Sequence, residues 1–391
     1  MLHLTREELP MAVKIEQLKK EAGSHSPSLS TYRQKLPELL IKVDACFLSN
    51  PYATSLFLDC LNGEIIKTGK LRDVVEFYPS QNTVIAELLG KFLDIDSGNI
   101  FIGNGAIEII QAVIHNFTER KILINIPAFS SYYEFVKEGV EIIFNRLKKE
   151  ECFQLDTALY LDIIKTEQPD TVVLINPNNP NGAYIKTSEI EFLLEQMRSV
   201  KTVILDESFI HFAYEDNDLE MISAGSLITR FPNLVLIKSM SKDFGIAGVR
   251  AGYGIMAKEK VKQLLVNGYL WNSNGLAEFF FRLYVRKDFD DQYNKVRKKY
   301  IRETLAFIKE LELLPGIKIY PGKANFVLVE LLTGISSGGF VSLMLIRYGI
   351  YVRNCDDKIG LDGEYIRLSS RSMDENNYII RCFKEYLCDA K

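Results

Sequence analysis

Ile237-Lys238-Ser239-Met240-Ser241-Lys242-Asp243-Phe244-Gly245-Ile246-Ala247-Gly248-Val249-Arg250 continues an apolar run that begins at Asn233. The run predicts a strand, closed by small hydroxyl residues and then a glycine-containing loop. Lys242 is the residue of interest. Desolvation lowers the pKa of a lysine, and the neutral amine forms a Schiff base with a carbonyl. Arg250, eight residues on, offers a bidentate fork for an anion. Taken alone, the stretch reads equally well as a surface lysine on a Gly-rich loop.

Working outward, other apolar runs end in polar residues of the same kind. Asn99–Ile102 predicts a short strand, followed by the turn Gly103-Asn104-Gly105-Ala106 and a helix over Ile107–Phe117. Lys121–Ile126 predicts a strand closed by Pro127-Ala128-Phe129. Thr171–Ile175 leads into Asn176-Pro177-Asn178-Asn179-Pro180-Asn181-Gly182. A helix over Ser188–Arg198 precedes a strand over Lys201–Leu205, which ends in Asp206-Glu207-Ser208-Phe209. Short apolar strands alternating with helices indicate an α/β fold: a mostly parallel sheet covered by helices. Ligands of such sheets sit beyond the carboxyl ends of the strands, and Gly105, Phe129, Asn179, Asp206 and Lys242 all fall there.

The flanks differ. Leu9–Ala22 predicts an amphipathic helix, and Tyr32–Phe47 a second one capped by Ser30 or Thr31. Residues 1–47 thus read as an N-terminal helical arm, 48–275 as a large domain and 276–391 as a small α+β domain. The small domain would begin with a long charged helix, Leu276–Glu312. Strands follow at Gly316–Tyr320, Asn325–Glu330 and Tyr365–Leu368, with helices at Gly339–Tyr348 and Glu375–Cys388.

With 51 acidic against 47 basic residues and no basic block, the chain is a poor nucleic-acid binder. The absence of any 18-residue apolar run argues against a membrane span, and the charged first twenty residues are unlike a signal peptide. Six cysteines without a C-x-x-C pair read as reduced thiols, so a cytoplasmic setting is expected. Four histidines leave little for a zinc site, although Asp206 beside Glu207 keeps a metal reading open.

Asparagine, aspartate, Ser-x-Ser-Lys and arginine in this order resemble the fold-type-I pyridoxal-phosphate (PLP) enzymes, the superfamily of the aminotransferases. The resemblance implies roles for named residues. Lys242 would carry the cofactor as a Schiff base; Lys238, inside the strand run, is the rival. Asp206 would pair with the pyridine nitrogen and keep it protonated, which makes the ring an electron sink. Asn179 would donate to the ring's phenolic oxygen, and Phe129 would stack on the ring. Ser239, Ser241, Arg250 and the helix start Asn104-Gly105-Ala106 would hold the cofactor phosphate, where free N–H groups and the helix dipole attract anions. Tyr78 would reach the same phosphate in the other subunit of a homodimer. Plainer readings stand beside these: turn chemistry for Asn179 and Asp206, core packing for Phe129, an exposed strand residue for Arg367.

Within the superfamily the chain resembles threonine-phosphate decarboxylase first and histidinol-phosphate aminotransferase second. Ile350–Cys355, Gly360-Leu361-Asp362 and Tyr365–Arg371 carry that likeness. It implies that Arg367 binds the substrate α-carboxylate and that Arg353, fourteen residues earlier, joins it on a phosphorylated amino acid. Phe209 stands where the aminotransferase has a tyrosine. The decarboxylase's short His-Gly-Gly-Asn start, which touches substrate phosphate, is missing; an arm of about 45 residues replaces it, with His25 as one candidate substitute. The expected function is decarboxylation of an O-phospho-L-amino acid, serine phosphate favoured over threonine phosphate. The alternative is an aminotransferase acting on a substrate such as histidinol phosphate. A PLP-sensing regulator lacks its basic DNA-binding domain here, and a nucleotide-binding protein leaves Lys242, Asp206 and Arg250 unexplained.

Overall fold

The computed structural model describes residues 4–388. Its strands are β1 (Val43–Ala45), β2 (Ile100–Asn104), β3 (Lys121–Ile126), β4 (Glu141–Arg146), β5 (Thr171–Ile175), β6 (Thr202–Asp206), β7 (Leu234–Ser239), β8 (Ala251–Met256), β9 (Ile317–Ile319), β10 (Phe326–Leu331), β11 (Ile350–Asn354) and β12 (Tyr365–Ser369). They form a seven-stranded sheet, β2-β8-β7-β6-β5-β3-β4, and a five-stranded one, β1-β11-β12-β10-β9.

The contacts divide the chain into two units. One comprises Ser49–Asn179 and Ala183–Lys299; the other comprises Met1–Leu48, Pro180–Gly182 and Tyr300–Lys391. This division differs from the boundaries expected at 47 and 275. The arm groups with the C-terminal residues, and the later boundary falls inside the helix Lys287–Glu312.

The larger unit holds the seven-stranded sheet. Strands β3 to β7 run parallel, and every residue of β5, β6 and β7 is buried. Burial on both faces is why these strands read as unbroken apolar runs. Each enclosed Val, Ile or Leu contributes roughly 1.5–3 kcal/mol. β8 is antiparallel to both β2 and β7, so β2 points the same way as the parallel set. The helix Ala106–Phe117 lays Ile109, Ile110, Val113, Ile114 and Phe117 into the core, a helical stripe against the sheet.

In the smaller unit β1 pairs parallel with β11, while β11-β12-β10-β9 run antiparallel. Helices Ser337–Tyr348 and Met373–Cys388 supply the apolar cover. The arm belongs here. Its helix Leu9–Glu21 buries Ile15 and Leu18, and Glu8 makes a forked pair with Arg347 at 2.7 and 2.8 Å. Tyr32 meets Tyr351 edge-on at 5.0 Å, and Tyr351 Oη donates to Pro27 O at 2.8 Å.

The second arm helix is shorter than expected. It runs Leu29–Lys35, capped by Ser28, whose Oγ accepts from Thr31 N–H at 3.0 Å. Pro37 lies two residues past its end, where a missing N–H and a fixed φ oppose continuation. The following apolar residues pair as β1 instead. The helix expected over Leu276–Glu312 is two, Gly275–Tyr284 and Lys287–Glu312. At the break, Arg286 forks onto Glu64 at 2.7 and 2.9 Å and onto Asp288 at 2.6 and 3.0 Å. No described helix is long and apolar enough to cross a membrane.

Candidate active site

The carboxyl ends of β2 to β7 lie along one edge of the larger unit's sheet, and the register fixes what they present. Gly252 of β8 pairs with Gly103 on one side and Ser239 on the other. One row lower, Asp206 pairs with Ile175 and Ile237. Adjacent strands are about 4.8 Å apart, so Asn104, Ser239 and Asp206 are set by the ladder rather than by loops.

Beyond β2 the chain turns at Gly105, with φ of +77°, and enters the helix at Ala106. A Cβ at Gly105 would sit 2.5 Å from Nη2 of Arg250. Only glycine both adopts this φ and admits the guanidinium. Arg250 Nη2 donates to Asn104 O at 3.2 Å and Nη1 to Ala247 O at 3.1 Å. A helix start with an arginine against it makes a cradle; Ser239 and Ser241, also expected there, are both buried.

Lys242 is half-buried, just past β7. Its carbonyl accepts from Asn50 N–H at 3.1 Å. Thr54 Oγ1 donates to Gly245 O at 2.8 Å. Gly245 has φ of +63°, and a Cβ there would overlap Thr54. The helix Pro51–Leu61 therefore clamps the lysine's turn.

The rival Lys238 is otherwise engaged. It is fully buried, with its ammonium paired to Asp243 and donating to Glu207 O at 3.2 Å. Burial raises the pKa of Asp243, and the Lys238 ammonium opposes that rise. His211 Nδ1 lies 3.4 Å from the same carboxylate and 2.9 Å from Tyr293 Oη. Burial holds His211 well below its ordinary pKa, helped by the positive charge of Lys238.

Asp206 is buried, and both oxygens meet neutral donors. Tyr132 Oη donates to Oδ2 and Ser208 N–H to Oδ1, each at 2.8 Å. Burial raises the pKa of its carboxyl, while these donors and Lys238 pull it back. Neighbouring Glu207 turns away to Ser223 Oγ at 2.6 Å and Ala224 N–H at 2.7 Å. Burial pushes its pKa up to about 7. The two carboxylates therefore do not share a metal, and among the described residues no group of His, Cys, Asp and Glu could hold one.

Asn178 Nδ2 donates to Pro127 O at 2.9 Å, tying the asparagine loop to the segment that carries Phe129. Asn179 is buried and Phe129 half-buried. Tyr78 behaves differently. It is 91% exposed, stacked on the exposed Trp271 at 6.3 Å. In the smaller unit Arg353 and Arg367 face each other across β11 and β12. Both are buried. Arg367 Nη2 donates to Cys46 O at 2.9 Å, and Arg353 Nη2 contacts both oxygens of Asp357 at 2.9 and 2.7 Å.

Sequence reading missed Tyr132, the Asn50–Thr54 clamp and Asp357. Tyr132 sits in Ser130-Ser131-Tyr132-Tyr133 directly after Phe129, and its only signal was proximity to a strand end. The donor set fits PLP. A buried carboxylate that meets only neutral donors suits a protonated ring nitrogen, and the Gly105–Arg250 cradle suits a phosphate.

Comparison with known proteins agrees with this chemistry. Residues 69–382 match the model of the family "Aminotransferase class I and II". An L-serine phosphate decarboxylase of Campylobacter jejuni is 54% identical over 390 residues, 100% of this chain and 99% of that one. An L-serine phosphate decarboxylase of Sulfurospirillum multivorans is 46% identical over 374 residues, 96% of this chain and 95% of the other. A solved structure of a decarboxylase from Sulfurospirillum multivorans superposes with a TM-score of 0.95 at 45% identity, covering 98% of each chain. On this match and these identities, the chain belongs to the class I and II aminotransferase family of PLP-dependent enzymes.

Proposed function

We propose that this protein is a PLP-dependent decarboxylase that converts L-serine O-phosphate into ethanolamine phosphate and carbon dioxide. The observation that carries this reading is the 54% identity to an L-serine phosphate decarboxylase along the whole chain. Atoms balance without an oxidant: carbon dioxide leaves the α-carbon and one proton arrives there.

Bound at this site, PLP supplies an electron sink for charge that develops at the α-carbon. The chain's residues do the rest. Lys242 Nζ would anchor the cofactor and would deliver a proton to the α-carbon. Asp206, steadied by Tyr132 and Ser208, holds a proton on the ring nitrogen. Phe209 has no hydroxyl, which leaves Asn179 as the amide donor to the ring's phenolic oxygen. Arg250, Ser239, Ser241 and the turn Asn104–Ala106 hold the cofactor phosphate, and Phe129 packs on the ring. Arg367 and Arg353 are assigned to the substrate's carboxylate and phosphate. Orienting the carboxylate across the ring plane selects loss of carbon dioxide over loss of the α-proton.

The same reading makes the protein a cytoplasmic homodimer with Tyr78 donated to the partner's site. Support comes from an exposed apolar set in one unit, Val75, Phe77, Tyr78, Val266, Leu270 and Trp271, since large exposed patches mark interaction surfaces. Six free cysteines support a reducing compartment. The deciding experiment supplies serine phosphate without any keto acid. Carbon dioxide and ethanolamine phosphate are expected. Product that forms only with 2-oxoglutarate, together with glutamate, would make the protein an aminotransferase.

A further inference from the structure

Arg353 is buried with part of its guanidinium unmet. It is 4% exposed, and its Nη2 atom contacts three acceptors: Ser24 O at 2.9 Å and the two oxygens of Asp357. Its Nη1 is buried and has no hydrogen-bond partner. Leaving such a donor unmet is costly, more so for a charged group. Arg367 stands directly across the strand pair, and like charges so placed repel.

Two lysines crowd the same place. Lys358 Nζ is 3.5 Å from Asp357 and donates to Ser24 O at 3.3 Å. Lys19, on the arm helix, reaches Asp357 at 3.7 Å and Gly23 O at 2.6 Å. Three cations thus surround one carboxylate, an excess of two positive charges in a largely buried spot. Asp356, next along, is exposed. Burial lowers the pKa of Lys19 and Lys358, and the positive charge of Arg353 adds to that. Buried charge of one sign calls for a counter-ion. A phosphate monoester carries between −1.5 and −2 charges at neutral pH, close to the excess.

We propose that Lys19, Arg353 and Lys358, the last two steadied by the arm's Ser24 carbonyl, form a phosphate subsite in which Asp357 holds the arginine fork until a phosphate takes it. Lys19 and Lys358 are then specificity-determining residues, and the arm is a wall of the subsite rather than a packing appendage. The arm's contribution is a backbone carbonyl and a lysine; His25, the expected candidate, is exposed. This inference rests on the proposed reading of serine phosphate as substrate.

The test uses the full-length holoenzyme and two probes, inorganic phosphate by titration calorimetry and serine phosphate by turnover. Lys19→Met and Lys358→Met are each expected to weaken phosphate binding about tenfold, the scale of one lost charge-assisted contact. Their effect on serine phosphate falls on KM more than on kcat. Lys358→Arg restores most of the affinity. Asp357→Asn is expected to tighten phosphate binding several-fold, a gain that misfolding cannot mimic. Phosphate bound equally by wild type and all variants, or not bound by wild type at millimolar concentration, overturns the subsite. If the calorimetric pattern holds but serine phosphate is not turned over, the subsite stands and the substrate reading falls.

Discussion

Tyr132 donates its hydroxyl to Oδ2 of Asp206 at 2.8 Å, and both side chains are buried. A neutral donor thereby opposes the rise in pKa that burial imposes on that carboxyl. Tyr132→Phe keeps the ring and removes only that donor. A hydrogen bond to a charged group is worth about 1.5–3 kcal/mol, so kcat/KM should fall at least tenfold and cofactor affinity with it. Fluorescence titration of the apoenzyme with PLP, alongside steady-state kinetics, measures both; unchanged values would remove Tyr132 from the machinery.

The two lysines at the end of β7 separate cleanly by substitution. Lys242→Ala should lose the visible absorbance of lysine-bound PLP and all turnover while melting near the wild-type temperature. Lys238→Met should do the reverse, since it strands the Asp243 carboxylate in the core. Breaking one half of a buried pair costs about 3–5 kcal/mol, so a clear fall in melting temperature is expected. An intact visible spectrum in Lys242→Ala would overturn the cofactor's attachment point.

Glu207 gives stability a pH dependence of defined sign. Burial raises its folded pKa to about 7 from an ordinary value of 4.5. The folded state therefore binds a proton that the unfolded state has released between those two values. Stability from this group is fully present below about pH 4.5 and is lost as pH rises to about 7, amounting to roughly 3 kcal/mol. Glu207→Gln should flatten that part of the curve of melting temperature against pH. A wild-type curve that rises over the same interval would contradict the assignment.

Tyr78 has no role in its own unit's anion cradle that its exposure would allow. Sedimentation should give a dimer. Tyr78→Phe should raise the PLP dissociation constant several-fold, the scale of one phosphate hydrogen bond, with the dimer retained. An active monomer would contradict the shared-site reading.

The parallel core was legible because burial on both faces leaves no polar residues to break the pattern. Thr171–Ile175 coincides with β5, Lys201–Leu205 is within one residue of β6, and the run from Asn233 leads into β7. β8 was missed, since Ala251-Gly252-Tyr253-Gly254 has little strand propensity. Gly252 is there because the turn after β2 passes close by: a Cβ on it would lie 2.8 Å from Ala106 N. The arm was misread because its last segment is a strand only when β11, some 300 residues away, lies beside it. The strand-end positions of Asp206 and Lys242 could be read locally. Tyr132 could not, because its partner Asp206 lies 74 residues away; Asp357 pairs with Arg353 four residues before it, but nothing in the sequence signalled the approach of Lys19.

The pairing of β1 with β11 makes the smaller unit discontinuous, built from both ends of the polypeptide. On the ribosome the first 48 residues emerge roughly 250 residues ahead of the segment that begins at Tyr300. At 5–20 residues per second that is a wait on the order of ten to fifty seconds. Throughout it, an apolar strand edge and the amphipathic helix beside it stand uncovered while the intervening domain completes itself. Nascent chains of this protein should therefore engage holdase chaperones through their opening segment, and fusions that delay release of the far end should aggregate.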